Sequence, residues 1–119
     1  MDARDKRILI VEDEPIVALA LQDMLEDLGY EVVGPAFRET AALTLAASET
    51  IDAAILDVNM GDGDSYGVAR RLRGRGIPYL FATGYGREGL EAGHEDIPVL
   101  QKPYRDAQVE AALRGLLDP

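Results

Sequence analysis

Five short apolar runs punctuate the chain: "ILIV" (8–11), "EVVG" (31–34), "AAIL" (53–56), "YLFA" (79–82) and "VLQ" (99–101). Most are continuously apolar rather than alternating, as expected of parallel strands covered on both faces. Between them lie longer segments of helical period. Ile16, Val17, Ala20, Leu21, Met24, Leu25 and Leu28 form one stripe, with Gln22, Asp23, Glu26 and Asp27 opposite. Pro15 suits the first turn of that helix and Gly29 a left-handed stop. "RETAALTLAASE", "SYGVARRLRG" and "RDAQVEAALRGLL" are expected to form further helices, the last turning Val109, Ala112, Leu113, Leu116 and Leu117 inward. "TGYGREGLEAGHEDI" holds four glycines and little periodicity, so a fourth helix there is expected to be short or irregular, with His94 solvated. The order β-α-β-α-β-α-β-(α)-β-α predicts a doubly wound five-stranded α/β sheet with helices on both faces. Residues 1–119 are expected to form a single domain.

Bulk composition excludes several kinds of function. There are 12 Lys and Arg against 22 Asp and Glu, a formal net charge of −10, which argues against direct contact with nucleic acid. The basic cluster "RRLRGR" at 70–75 suits a solvated helix end. No cysteine is present, so disulfides and thiolate chemistry are absent. The start is too charged for a signal peptide and no run is long enough to span a bilayer, so a cytoplasmic domain without membrane contact is expected.

Ligands of doubly wound sheets bind beyond the carboxyl ends of the strands. There the first run meets Glu12 and Asp13 (with Glu14 following), the third Asp57, the fourth Thr83 and the fifth Lys102. Each alone has a plain explanation: helix-dipole complement, turn former, loop entry or strand terminator. Together they place carboxylates, a hydroxyl and an ammonium at one mouth. Two carboxylates about 4 Å apart repel by roughly 4 kcal/mol at an effective dielectric near 20, so the group should bind a cation or raise its own pKa values. Oxygen ligands without His or Cys suit Mg²⁺. With a cation beside it, Asp57 could attack phosphorus.

At these residues the sequence resembles the receiver domains of two-component response regulators, through "ILIVEDE", "AAILDVNM", "FATG" and "QKPY" in that order. The resemblance implies a flavodoxin-like fold with strand order 2-1-3-4-5. It implies that Asp57 accepts a phosphoryl group from a phosphohistidine on a histidine kinase or histidine phosphotransferase, in a module that catalyses only its own phosphorylation and dephosphorylation. Asp13, Asp57 and the backbone carbonyl of Asn59 would contact Mg²⁺, with Glu12 acting largely through water. Thr83 and Lys102 would hold phosphoryl oxygens, and the Lys102–Pro103 bond would be cis. Asn59 and Tyr85 occupy the positions that tune hydrolysis. "FATGYG" is also similar, in part, to the Phe-Ala-Thr-Gly-x-Tyr subgroup associated with alphaproteobacterial single-domain regulators, stress-response regulators and hybrid kinases. Signalling is then expected through phosphorylation-dependent contacts with a downstream protein, on the face formed by the fourth strand's loop, the fifth strand and the last helix.

Three departures from the family pattern stand out. Val99 occupies the usual place of an aromatic switch residue, so Tyr85 or Tyr104 is expected to take over part of that role. The span from Thr83 to Lys102 is short. Gly61 replaces the proline usually found four residues after the acceptor, so that loop is expected to be looser. A flavin-binding domain of the same topology would need a phosphate loop where "EDEP" stands. A metal-dependent aspartyl phosphatase would need a second carboxylate two residues after Asp57. A degenerate receiver acting as a constitutive binding module is the remaining alternative. Met1 and a compact end after "RGLLDP" favour a free-standing regulator over a domain cut from a longer chain.

Overall fold

The computed structural model describes residues 6–61, 63–84, 90, 93–94 and 96–118. Strand β1 (Arg7–Val11) is followed by helix α1 (Pro15–Asp27), β2 (Glu31–Ala36) and α2 (Glu39–Ser48). Then come β3 (Ala53–Asp57), a small hairpin β4 (Asn59–Met60) and β5 (Gly63–Asp64), α3 (Tyr66–Gly74), β6 (Tyr79–Thr83), β7 (Val99–Gln101) and α4 (Asp106–Leu117). The five principal strands form one parallel sheet in the order β2-β1-β3-β6-β7. Counting only these five, this is the expected order 2-1-3-4-5.

The apolar runs are buried because both faces of the sheet are covered. β3 and β6 are buried along their whole length. One core cluster joins Leu9, Leu56 and Phe81 to Ala42 and Ala46 of α2 and to Val68 and Leu72 of α3. A second joins Ile8, Ile10, Ile55 and Leu80 to Leu21 and Leu25 of α1 and to Val109 and Leu113 of α4. Successive strand residues point to opposite faces, so each run supplies both clusters. Gly29 ends α1 with φ +96°, the left-handed conformation that glycine adopts without a Cβ penalty. At Gly34, where φ is +92°, a Cβ would lie 2.8 Å from the Ala36 nitrogen, so only glycine fits. The Gly34–Pro35 and Lys102–Pro103 bonds are both cis, the second as expected.

Two expectations are corrected, and one segment is more regular than expected. On α1 the buried residues are Ala18, Leu21 and Leu25, whereas Ile16 is 84% exposed and Ala20 is exposed. The helix is rotated so that small Ala18, rather than Ala20, faces the sheet. After Asp57 the chain forms an antiparallel hairpin that the sequence did not signal, pairing Asn59 with Asp64 and Met60 with Gly63. His94 is buried, not solvated, because its ring stacks on Tyr66 at 4.9 Å and meets Phe81 edge-on at 5.3 Å. The expected irregular fourth helix falls mostly on residues outside those described.

Leu25→Ala should destabilise the protein by about 2–5 kcal/mol, the cost of deleting a buried leucine. Ile16→Ala should change stability by no more than about 0.5 kcal/mol. Urea denaturation of both variants checks this, and a large loss from Ile16→Ala would contradict the observed rotation of α1.

Candidate functional site

Parallel pairing sets the site. Val11 lies opposite Leu56, so the next residues along, Glu12 and Asp57, emerge side by side from the ends of β1 and β3. Val58 N–H continues the ladder to the Ala82 carbonyl (3.1 Å), and Lys102 N–H donates to the Thr83 carbonyl (3.0 Å). These backbone bonds bring the ends of β3, β6 and β7 to the same mouth. Glu12, Asp57 and Thr83 are all buried, at 1%, 4% and 2% exposure. Thus the structure brings together the five residues that the strand ends pointed to: Glu12, Asp13, Asp57, Thr83 and Lys102.

Lys102 Nζ lies 2.7 Å from Glu12 Oε1 and 3.3 Å from Asp57 Oδ2. The second Glu12 oxygen accepts from the Glu14 N–H at 3.2 Å. Asp13 is half-buried, and its Oδ2 accepts from the Gly61 N–H at 2.6 Å. Carboxylate oxygens of Glu12, Asp13 and Asp57 all fall within 4.8 Å of one another. Three carboxylates therefore face one ammonium.

That imbalance appears in the protonation of the site. Burial, then hydrogen bonding and repulsion from Glu12, push Asp57 up to about 8, despite the opposing pull of Lys102. For Lys102 the largest influence, burial, favours loss of the proton, but Glu12 and Asp57 together outweigh it and hold the ammonium above its ordinary range. Tyr104 packs partly buried against the cluster of α1 and α4. Burial, and then the charges of Glu12, Asp57 and Glu14, raise its hydroxyl well above the ordinary tyrosine value. Asn59 is exposed at the start of the hairpin, whereas Tyr85 lies outside the described residues.

Two features of the site were not foreseen from the residues. The Gly61 amide holds Asp13, and the sequence signalled it only by placing glycine where proline is usual. The ring contact of His94 with Phe81 sits two residues before Thr83 on β6. A lone histidine in a glycine-rich stretch gave no periodic signal for it.

In the metal-free protein, folded Asp57 keeps its proton to about pH 8, while the unfolded carboxyl releases it near 3.8. Between these values the folded state binds more protons, so stability must fall as pH rises. The melting temperature without divalent cation is expected to decline from about pH 5 to about pH 8. Asp57→Asn should flatten that slope and raise the melting temperature at about pH 8 by at least about 4 °C. Calorimetry across pH checks both, and an unchanged slope in the variant would assign the effect elsewhere.

Known proteins share this fold. The SdrG solution structure from Sphingomonas melonis Fr1 is 44% identical, superposes with a TM-score of 0.84, and is matched over 96% of this chain and 98% of its own. The receiver domain of the sensor histidine kinase PA1611 from Pseudomonas aeruginosa PAO1, solved with a magnesium ion coordinated in its active site cleft, is 26% identical with a TM-score of 0.80, covering 96% of this chain and 98% of that one. Among curated sequences, the probable transcriptional regulator ycf27 of Cyanophora paradoxa is 38% identical over 98% of this chain and 50% of its own length. The chain spans about half the length of the curated relatives it matches. The profile of the response regulator receiver domain matches residues 8–114, and the chain belongs to that family of phosphoacceptor signalling modules.

Proposed function

We propose that this chain is a single receiver domain that accepts a phosphoryl group on Asp57, with Mg²⁺, from a phosphohistidine of a histidine kinase or histidine phosphotransferase. The observation that carries the reading is the placement of Asp57. Its buried carboxylate ends β3 with Lys102 Nζ at 3.3 Å and carboxylate oxygens of Glu12 and Asp13 within 4.8 Å. The donor set fits Mg²⁺: the ligand atoms are hard oxygens, they converge, and Lys102 alone leaves Asp57 raised to about 8. Asp13, Asp57 and the Asn59 carbonyl would hold the ion, with Glu12 acting through water. When bound, it would neutralise charge on phosphoryl oxygens and position them for in-line attack.

The chain's own residues supply the rest. The Asp57 carboxylate forms an O–P bond as the N–P bond of the phosphohistidine breaks, and the imidazole departs with the bonding electron pair. Lys102, with its ammonium held above its ordinary range, answers the equatorial oxygens alongside the Thr83 hydroxyl. Asn59, exposed next to the acceptor's strand, would orient the water that later hydrolyses the acyl phosphate, and Tyr85 would shield it.

Ile16 at 84% and Leu19 at 52% exposure present apolar surface on α1 beside the mouth, which supports docking of a partner there. The added negative charge on Asp57 would draw Thr83 and Lys102 inward, altering the face made by β7, α4 and the residues after Thr83. A downstream protein would read that face, with Tyr104 and Tyr85 taking part of the switching role that Val99 lacks the ring to perform. The charge of −10 disfavours direct nucleic-acid binding, and no helix among the described residues is long and apolar enough to cross a membrane.

Incubation with Mg²⁺ and acetyl phosphate should add one phosphoryl group by intact mass. The increment should vanish in Asp57→Ala and without Mg²⁺, and fall by at least about tenfold in rate in Lys102→Ala. An increment that survives Asp57→Ala would place the acceptor elsewhere. Mg²⁺ binding with no increment from acetyl phosphate or from a phosphorylated histidine kinase would favour the constitutive binding module.

A further inference from the structure

Gly61 is not explained by its backbone conformation. Among the described residues, positive φ angles belong to Gly29, Gly34, Gly63, Gly76 and Gly93, and Gly61 does not share them. What glycine permits at this position is approach. A Cβ built there would lie 3.1 Å from Asp13 Oδ2, closer than a methyl group ordinarily sits to a carboxylate oxygen. Without it, the Gly61 N–H reaches that oxygen at 2.6 Å, a short charge-assisted hydrogen bond between segments 48 residues apart. Proline at this position would have no N–H to offer.

Asp13 needs such a partner. It is half-buried on the solvent side of a cluster that already holds Glu12 and Asp57, whereas Lys102 pairs with those two. Without a partner, Asp13 would turn outward into water, where a carboxylate is well solvated. The Gly61 amide opposes that rotation, and it is itself fixed in the turn of the hairpin pairing Asn59 with Asp64 and Met60 with Gly63. One oxygen of Asp13 is thereby occupied by the amide, and the other remains for a ligand.

We infer that Gly61 is a positioning residue for the cation site: its amide holds Asp13 Oδ2 both before and after Mg²⁺ binds, keeping the second oxygen aimed at the ion. This inference rests on the cation reading of the acidic cluster. Losing the donor leaves Asp13 to be oriented by the ion itself, so affinity falls while the ligand count stays the same.

Mg²⁺ affinity is measured by calorimetry for the wild-type protein, Gly61→Pro and Gly61→Ala, and amide spectra of the wild type are recorded through the same titration. Gly61→Pro, which removes the donor, should bind Mg²⁺ about five- to tenfold more weakly. Gly61→Ala, which retains the N–H but sets a Cβ 3.1 Å from Asp13 Oδ2, should bind with an affinity between those of the wild type and Gly61→Pro. In the wild type the Gly61 amide proton should lie far downfield, stay there at Mg²⁺ saturation, and move upfield in Asp13→Ala. Equal affinity in the wild type and Gly61→Pro would overturn the positioning role while leaving the cation site intact. Movement of the Gly61 amide to an ordinary shift at Mg²⁺ saturation would overturn it too, by showing that Oδ2 had been surrendered to the ion. If Gly61→Pro does not fold, this wild-type titration decides the matter alone. Absence of Mg²⁺ binding in the wild type would overturn the cation reading, and the inference with it.

Discussion

Two carboxylates buried side by side, with one lysine to answer them, form the constraint around which the rest of the molecule is arranged. Glu12 and Asp57 have almost no exposure, and neither was placed there by a preference of its own. They terminate strands that had to be buried, in a register that pairs Val11 with Leu56. The hydrophobic gain of seating "ILIV" and "AAIL" between two helical layers holds the charges out of water. The cost of burying the two groups together is thus offset by apolar contacts remote from the site. Lys102 completes the arrangement from the far side of β6, where Thr83 ends the strand with a small polar side chain.

This division of labour explains how the site can be both crowded with acidic groups and well defined. Close-packed side chains behind the strand ends resist the small displacements that would separate the carboxylates. The residues closer to solvent are held by single polar contacts instead. Asp13 depends on one amide, and Asp64 accepts the Tyr66 N–H at 3.0 Å as α3 begins. The mouth therefore grades from side chains held by close packing, at Glu12 and Asp57, to side chains held by hydrogen bonds, at Asp13 and Asp64. Under the proposed function, a site that admits an ion and then a phosphoryl group is suited to that gradient.

The sheet and the principal site residues were legible in the sequence because they obey one rule. Unbroken apolar runs must be covered on both faces, and the residues just past their carboxyl ends must then gather at one mouth. Glu12, Asp57, Thr83 and Lys102 need only that rule to be found. The rotation of α1 was less legible because its apolar residues cover more than one face, and periodicity could not tell that small Ala18 suits the sheet contact while Ile16 remains exposed. His94 was misread because its burial comes from rings contributed by α3 and β6, neither near it in sequence. The β4–β5 hairpin escaped notice because two-residue strands are too short to show alternation. Each miss depends on tertiary partners rather than on local pattern.

The separation of the core into two clusters by the sheet has a consequence for how such a chain can vary over time. Side chains packed under α2 and α3 do not belong to the cluster under α1 and α4, and the strand backbones stand between them. Substitutions on opposite faces should therefore combine nearly additively, whereas those sharing a face should be contingent on one another. One face can drift, repack and acquire a new contact surface while the other keeps its history. The mouth at the strand ends is the place where both lineages of change are answerable to the same chemistry.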